Sequence, residues 1–104
     1  MTVDPPPNLV VRDNPRELRY EAIAGGRLVG LIRYRREPGV VVLVHSEIDL
    51  GLEDAVGPEL VRGALADIRA RELRVVPHCQ YVIEYIRRHP EESDLVAPDP
   101  AVPE

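Results

Sequence analysis

Residues 73–90 read LRVVPHCQYVIEYIRRHP. Leu73–Val76 is a short apolar run of strand character, and Pro77 interrupts it. From Gln80 the period changes: Val82, Tyr85, Ile86 and His89 recur at the three- and four-residue spacing of one helical face. His89-Pro90 stops that helix, because proline disfavours helical backbone in the residue before it. Cys79, the single cysteine of the chain, falls where the strand hands over to the helix. The unpaired N–H groups of a helix start can stabilise a thiolate at such a place.

Upstream, Leu60, Val61, Ala64, Leu65 and Ile68 repeat the helical spacing. Pro58 suits the first position of that helix and Gly57 its cap. Arg69, Arg71 and Arg74 complement the negative end. Before it, Val40–Val44 is an unbroken apolar run, the mark of a strand covered on both faces. A helix between two strands of one sheet requires those strands to be parallel or nearly so.

The first part of the chain has the period of strands. Asn8–Asp13 ends in the turn signal Asp13-Asn14-Pro15. Glu17–Ile23 alternates, with Leu18, Tyr20 and Ala22 on one face and Arg19 and Glu21 on the other. Gly25-Gly26 permits a tight hairpin. Arg27–Arg36 then points Leu28, Gly30, Ile32 and Tyr34 to one side, and Glu37-Pro38-Gly39 makes the next turn. The order is ββββαβα, an α+β fold with two helices packed on a mixed, mainly antiparallel sheet.

The chain has 104 residues, enough for one small core. Of its 11 prolines, Pro5, Pro6, Pro7, Pro98, Pro100 and Pro103 lie at the two ends. Residues 1–7 and 97–104 read as flexible tails around a domain at 8–96. Net charge is −5, and Asp4, Asp99 and Glu104 in the tails supply part of it. The near-neutral remainder is no footprint for nucleic acid or an anionic membrane surface. No apolar run reaches the roughly 20 residues that span a bilayer. With one cysteine and no signal-peptide pattern, a reducing cytoplasm is the simplest setting.

Several side chains could carry chemistry. Cys79 reads either as a nucleophile activated by the helix start, with His78 or His45 nearby, or as a buried, inert small hydrophobe. His45 and Glu47, two apart on one strand, share a face. They can serve as base and orienting carboxylate, or mark where a buried strand emerges into solvent. Tyr81 and Tyr85, one turn apart, can each donate a hydroxyl or pack with that hydroxyl in water. His89 fits a helix C-terminal cap. The three histidines and one cysteine show no metal-ligand spacing.

Val75-Val76-Pro77-His78-Cys79, Tyr85-Ile86-Arg87-Arg88-His89-Pro90-Glu91 and His45-Ser46-Glu47-Ile48 resemble the motifs of a family of very small proteins in the GNAT superfamily. These are the acetyl-CoA-dependent N-acetyltransferases. The likeness covers roughly residues 9 to 96 and implies a minimal GNAT-like fold. It implies acetyl-CoA as co-substrate and an amine acceptor that the residues do not identify. The acetyl group would lie near Cys79, with His45 or Glu47 taking the proton and Tyr81 beside the cofactor. Pantetheine amides would bond backbone groups near Glu47 and Ile48. The pyrophosphate would sit on the segment around Ala55, Gly57, Pro58 and Glu59. Full-size members carry helices between the first two strands that help form the acceptor site. Asp13–Glu17 is too short for them, so the acceptor side should be open.

The phosphate segment departs from the superfamily pattern Gln/Arg-x-x-Gly-x-Gly/Ala. Leu52-Glu53-Asp54-Ala55-Val56-Gly57 keeps only the last glycine, and Asp54 stands at the basic position. A carboxylate ~4 Å from a phosphate costs roughly 1 kcal/mol in water and about 4 kcal/mol at an effective dielectric of 20. Two readings follow: an acetyltransferase, or a degenerate GNAT-like domain that has lost catalysis and serves as a binding or interaction module.

Overall fold

The computed structural model describes residues 4–97; of the tails read at 1–7 and 97–104, residues 1–3 and 98–104 lie outside the described residues. Strands β1 (Leu9–Asn14), β2 (Arg19–Ala24), β3 (Arg27–Glu37) and β4 (Val40–Ile48) form the antiparallel meander. Helix α1 (Glu53–Ala70), strand β5 (Arg74–Pro77), helix α2 (Gln80–Arg88) and a 3-10 turn (Pro90–Leu95) follow. The sheet runs in the order β1-β2-β3-β4-β5, and β5 lies parallel to β4. The α+β class and the ββββαβα order thus stand, with one short 3-10 element added.

Both helices cover one face of the sheet. Leu60, Val61, Ala64, Leu65 and Ile68 of α1, all buried, meet Tyr20, Ala22, Ile32, Tyr34, Val41 and Leu43. Gly63 lets α1 settle against β1, because a Cβ there would stand 2.7 Å from Val11. The β2–β3 hairpin turns through Gly25 (φ +56°) and Gly26 (φ +82°), a pair of left-handed residues that matches the twist of the strands. At the far end of α1, Tyr20 donates to Asp67 (2.7 Å) and Tyr34 to Asp13 (2.6 Å). Arg71 pairs with both carboxylates.

Five local readings change. Leu28 does not share the core face with Ile32 and Tyr34: it is exposed and Val29 is buried instead, because the β2–β3 register slips between Ala22 and Ile23. Helix α1 starts at Glu53, so Pro58 lies inside it and not at its first position, and Leu52 rather than Gly57 is the cap. Pro58 is the sixth residue of the helix, past the first turn, so it removes the bond to the Asp54 carbonyl and its ring crowds that carbonyl. Leu18 sits in the β1–β2 turn at φ +54°, half exposed, and not on the core face of β2. Glu21, read as solvent-facing, is 3% exposed and bonded by Arg12, Asn14 and Arg19. Burial pushes its carboxyl up, but these donors more than offset that and hold it below the ordinary carboxylate range. Val40–Val44 is covered on both faces only in part, since Val44 is 41% exposed.

After the 3-10 turn the chain returns to the sheet. Val96 bridges to Val75, and the Ala97 N–H donates to the Val75 carbonyl (2.8 Å). Ala97 packs on Val42 and Val76, the start of a small cluster on the face away from the helices. Arg69 clamps the turn from α1 through Glu92 and Asp94, each at 2.9 Å. No helix among the described residues is long and apolar enough to cross a membrane.

Candidate active site

The sheet opens at the end of β4. On one side β4 stays paired with β3 as far as Ile48, opposite Gly30. On the other, β5 leaves after Leu43–Pro77, and the N–H groups of His78 and Cys79 both donate to the Leu43 carbonyl (2.9 and 3.1 Å). Beyond that point no strand of the described residues pairs with this edge of β4. Asp49 donates its N–H to Val29 on β3 (2.9 Å). Alternation along the strand therefore turns the backbone groups of Ile48 and Ser46 toward the open edge, and those of Glu47 toward β3.

A bulge decides which side chains stand there. Arg33 pairs with His45 but the next residue, Tyr34, pairs with Leu43, leaving Val44 as the extra residue. Without it, His45 and Glu47 would continue the helix-facing set of Val41 and Leu43. The bulge reverses the phase. Ser46 and Ile48 now face the helices, while His45 and Glu47 face the open side of the sheet. The His45 Nε2 lies 3.7 Å and the Arg33 Nε 3.9 Å from the same Glu47 oxygen, and all three side chains are about half exposed.

Cys79 is on the other side of the strand. Its thiol contacts the Ser46 hydroxyl (Sγ to Oγ 2.9 Å) and is 5% exposed, part of the core beneath the start of α2. The three residues read as catalytic are therefore split: His45 and Glu47 stand together, and Cys79 lies through the sheet from them.

Between the start of α1 and the length of α2 runs a cleft of about 660 Å³. Glu53, Asp54, Gly57 and Pro58 form one wall, and Gln80, Tyr81, Glu84, Tyr85, Arg88 and His89 the other. Gly57 matters here by its missing side chain, since a Cβ would stand 3.0 Å from the Tyr81 ring and 3.4 Å from Ile48. Gly57 thereby stands where Tyr81 of α2 and Ile48 of β4 both meet α1. Burial first, then the charges of Glu53 and Asp54, push its phenol up, so it is a neutral hydroxyl at pH 7. Tyr85 stacks on His89 (4.0 Å between ring centres), and the His89 Nδ1 lies 2.8 Å from the Tyr85 carbonyl.

The longer helix relocates the anion-binding amides. Ala55 and Val56 both donate to the Leu52 carbonyl (3.2 and 2.8 Å). The free N–H groups of the helix start are thus those of Glu53 and Asp54. Glu59 does not reach the cleft; it pairs with Arg62 (2.5 Å) beside a shallow groove against β1. Ser46, Arg33 and Arg88 were missed by sequence reasoning. Ser46 and Arg88 stood inside the quoted motifs; Arg33 carries no local signal. Among the described residues no group of three metal-ligating side chains converges.

Residues 19–95 match the model of the GCN5-related N-acetyl-transferase family, and the chain belongs to that family. A GCN5-like protein from Staphylococcus aureus, whose solution structure was determined by NMR, has the same fold. It superposes with a TM-score of 0.63 at 16% identity, over 90% of this chain and 93% of that one. No curated protein matches the sequence.

Proposed function

We propose that the protein is an acetyl-CoA-dependent N-acetyltransferase whose co-substrate occupies the α1–α2 cleft, with the acetyl end at the open edge of β4. The observation that carries this reading is the parting of β4 from β5 beside that cleft. Outward backbone groups of Ser46 and Ile48 can bond a chain of amides there as a missing strand would. When bound, acetyl-CoA supplies the activated acetyl group as a thioester.

The residues fit one end of that molecule better than the other. The open edge, Gly57 and the Tyr81 ring suit a slender amide chain. The helix start can receive phosphate through the Glu53 and Asp54 N–H groups, but the same residues set two carboxylates beside it. Affinity on the order of 0.1–1 mM is expected, because each carboxylate at ~4 Å costs roughly 1 kcal/mol even in water.

In the transfer, the acceptor nitrogen forms a C–N bond to the acetyl carbon as the C–S bond breaks. The proton shed by the amine passes to Glu47 or His45 through water, and the departing thiolate is protonated in turn. Tyr81 is a neutral donor close to that leaving group. Cys79, buried and tied to Ser46, borders the acetyl end and shapes it.

Glu53 and Asp54 favour a second reading, a family member that binds without catalysis. Calorimetric titration with acetyl-CoA separates the two. Saturable binding that tightens at least tenfold in Asp54→Arg supports the enzyme. No heat at millimolar ligand from either form removes it.

A further inference from the structure

We propose that the acceptor is a small primary amine carrying an anionic group a few bonds away, held on the open sheet face by Glu47, His45 and Arg33. This rests on the reading above. The cleft lies between α1 and α2 on the helix side of the sheet, and Gly57 in its wall stands next to Ile48 at the end of β4. With the co-substrate filling that side, an acceptor reaches the same edge from the opposite face. Among the described residues that face carries no helix at the β2–β3–β4 end, and the register shows what it presents. Asn14, Arg19, Arg33 and His45 stand in one row across four strands, and Arg12, Glu21, Leu31 and Glu47 in the next.

The two carboxylates of these rows are not equally engaged. Glu21 is buried and bonded by Arg12, Arg19 and Asn14, so that group is closed. Glu47 is 58% exposed, and its two neighbours, the His45 ring and the Arg33 guanidinium, stand at 3.7 and 3.9 Å, beyond hydrogen-bond reach. An ammonium group settling on Glu47 displaces little, and it leaves the Arg33 guanidinium short of a counter-charge. A carboxylate or phosphate on the same molecule supplies it, with the fork geometry that arginine offers. An amine lacking the anion meets Arg33 as a like charge. The trio thus selects a zwitterion, and the ammonium lies beside the group that takes its proton.

The test reads binding and transfer separately. In the free protein, the Arg33 Nε and His45 ring signals are followed by NMR during titration with L-alanine, phosphoethanolamine, alaninamide and ethylamine. The first two, which carry the anion, should shift both signals at least tenfold more tightly than the last two. Their ranking shows whether carboxylate or phosphate is preferred. Arg33→Ala should remove the discrimination and Arg33→Lys should restore part of it. With acetyl-CoA present, CoA release should follow the same order. Equal response to charged and uncharged partners, or no shift of Arg33 at 50 mM of any of them (about a hundredfold above a weak 0.5 mM site), overturns the proposal. If acetyl-CoA binds and amines are not discriminated, only this inference fails. If acetyl-CoA does not bind, the acetyltransferase reading fails whatever the amines do.

Discussion

The Cys79 thiol rests 2.9 Å from the Ser46 hydroxyl, across the point where β5 stops pairing with β4. That contact closes the inner end of the opening and keeps the thiol under α2. Burial to 5% exposure makes Cys79 a poor target in the native protein. Iodoacetamide should modify it slowly at pH 7 and at least tenfold faster in denaturant, followed by mass spectrometry. Because the chain has no lysine, acetylation by acetyl-CoA has only the α-amine and this thiol as ordinary acceptors. A fast, hydroxylamine-sensitive mass gain would show that the thiol reacts despite its burial, and would give it a covalent role.

Replacing Gly57 separates cleft from fold. The added Cβ of Gly57→Ala meets the Tyr81 ring at 3.0 Å, so the ring must swing aside. Alanine recovers up to about 1 kcal/mol of helix propensity, and stability should stay within about 1 kcal/mol of the parent. Acetyl-CoA binding should weaken several-fold. Unchanged affinity by calorimetry would place the co-substrate elsewhere than against Tyr81.

Gly63→Ala should behave in the opposite way. Its Cβ would stand 2.7 Å from Val11, and strand β1 cannot move without losing its bonds to β2. A loss of about 1–3 kcal/mol is expected from urea unfolding, as for overpacked core sites. A neutral result would mean that β1 is only loosely docked on α1.

Glu21 contributes acid sensitivity. Its carboxyl is held below the ordinary value of about 4.3 by Arg19, Asn14 and Arg12, against the opposing effect of burial. A depressed folded value stabilises above the unfolded one and is lost as pH falls through the folded one. Glu21→Gln should therefore cost about 1–3 kcal/mol at pH 7. The difference from wild type should shrink below about pH 4. A constant difference from pH 7 to pH 3 would mean that shape, not charge, is what the mutation removes.

Much of the fold was legible because its faces are one-sided. The α1 stripe of Leu60, Val61, Ala64, Leu65 and Ile68 repeats cleanly and is buried entire. The parallel placing of β5 followed from the helix between it and β4. What stayed hidden has physical reasons. Val40–Val44 is apolar throughout, so nothing in it marks where the pleat slips, and the bulge at Val44 cannot be seen. That slip decides the face of His45 and Glu47. Pro58 looked like a first helical residue, while the acids Glu53 and Asp54, ordinary for a first turn, marked the true start. Glu21 alternates like a solvent residue and is buried only because Arg12, Asn14 and Arg19 converge on it.

The most direct test is an amide ¹⁵N–¹H NMR titration of the full chain with acetyl-CoA. The predicted result is saturable shifts centred on Ser46, Ile48, Glu53, Asp54 and Tyr81, with β1 and the far end of α1 unmoved. Absence of shifts at millimolar acetyl-CoA, or shifts confined to residues outside the cleft and the open edge of β4, would contradict it.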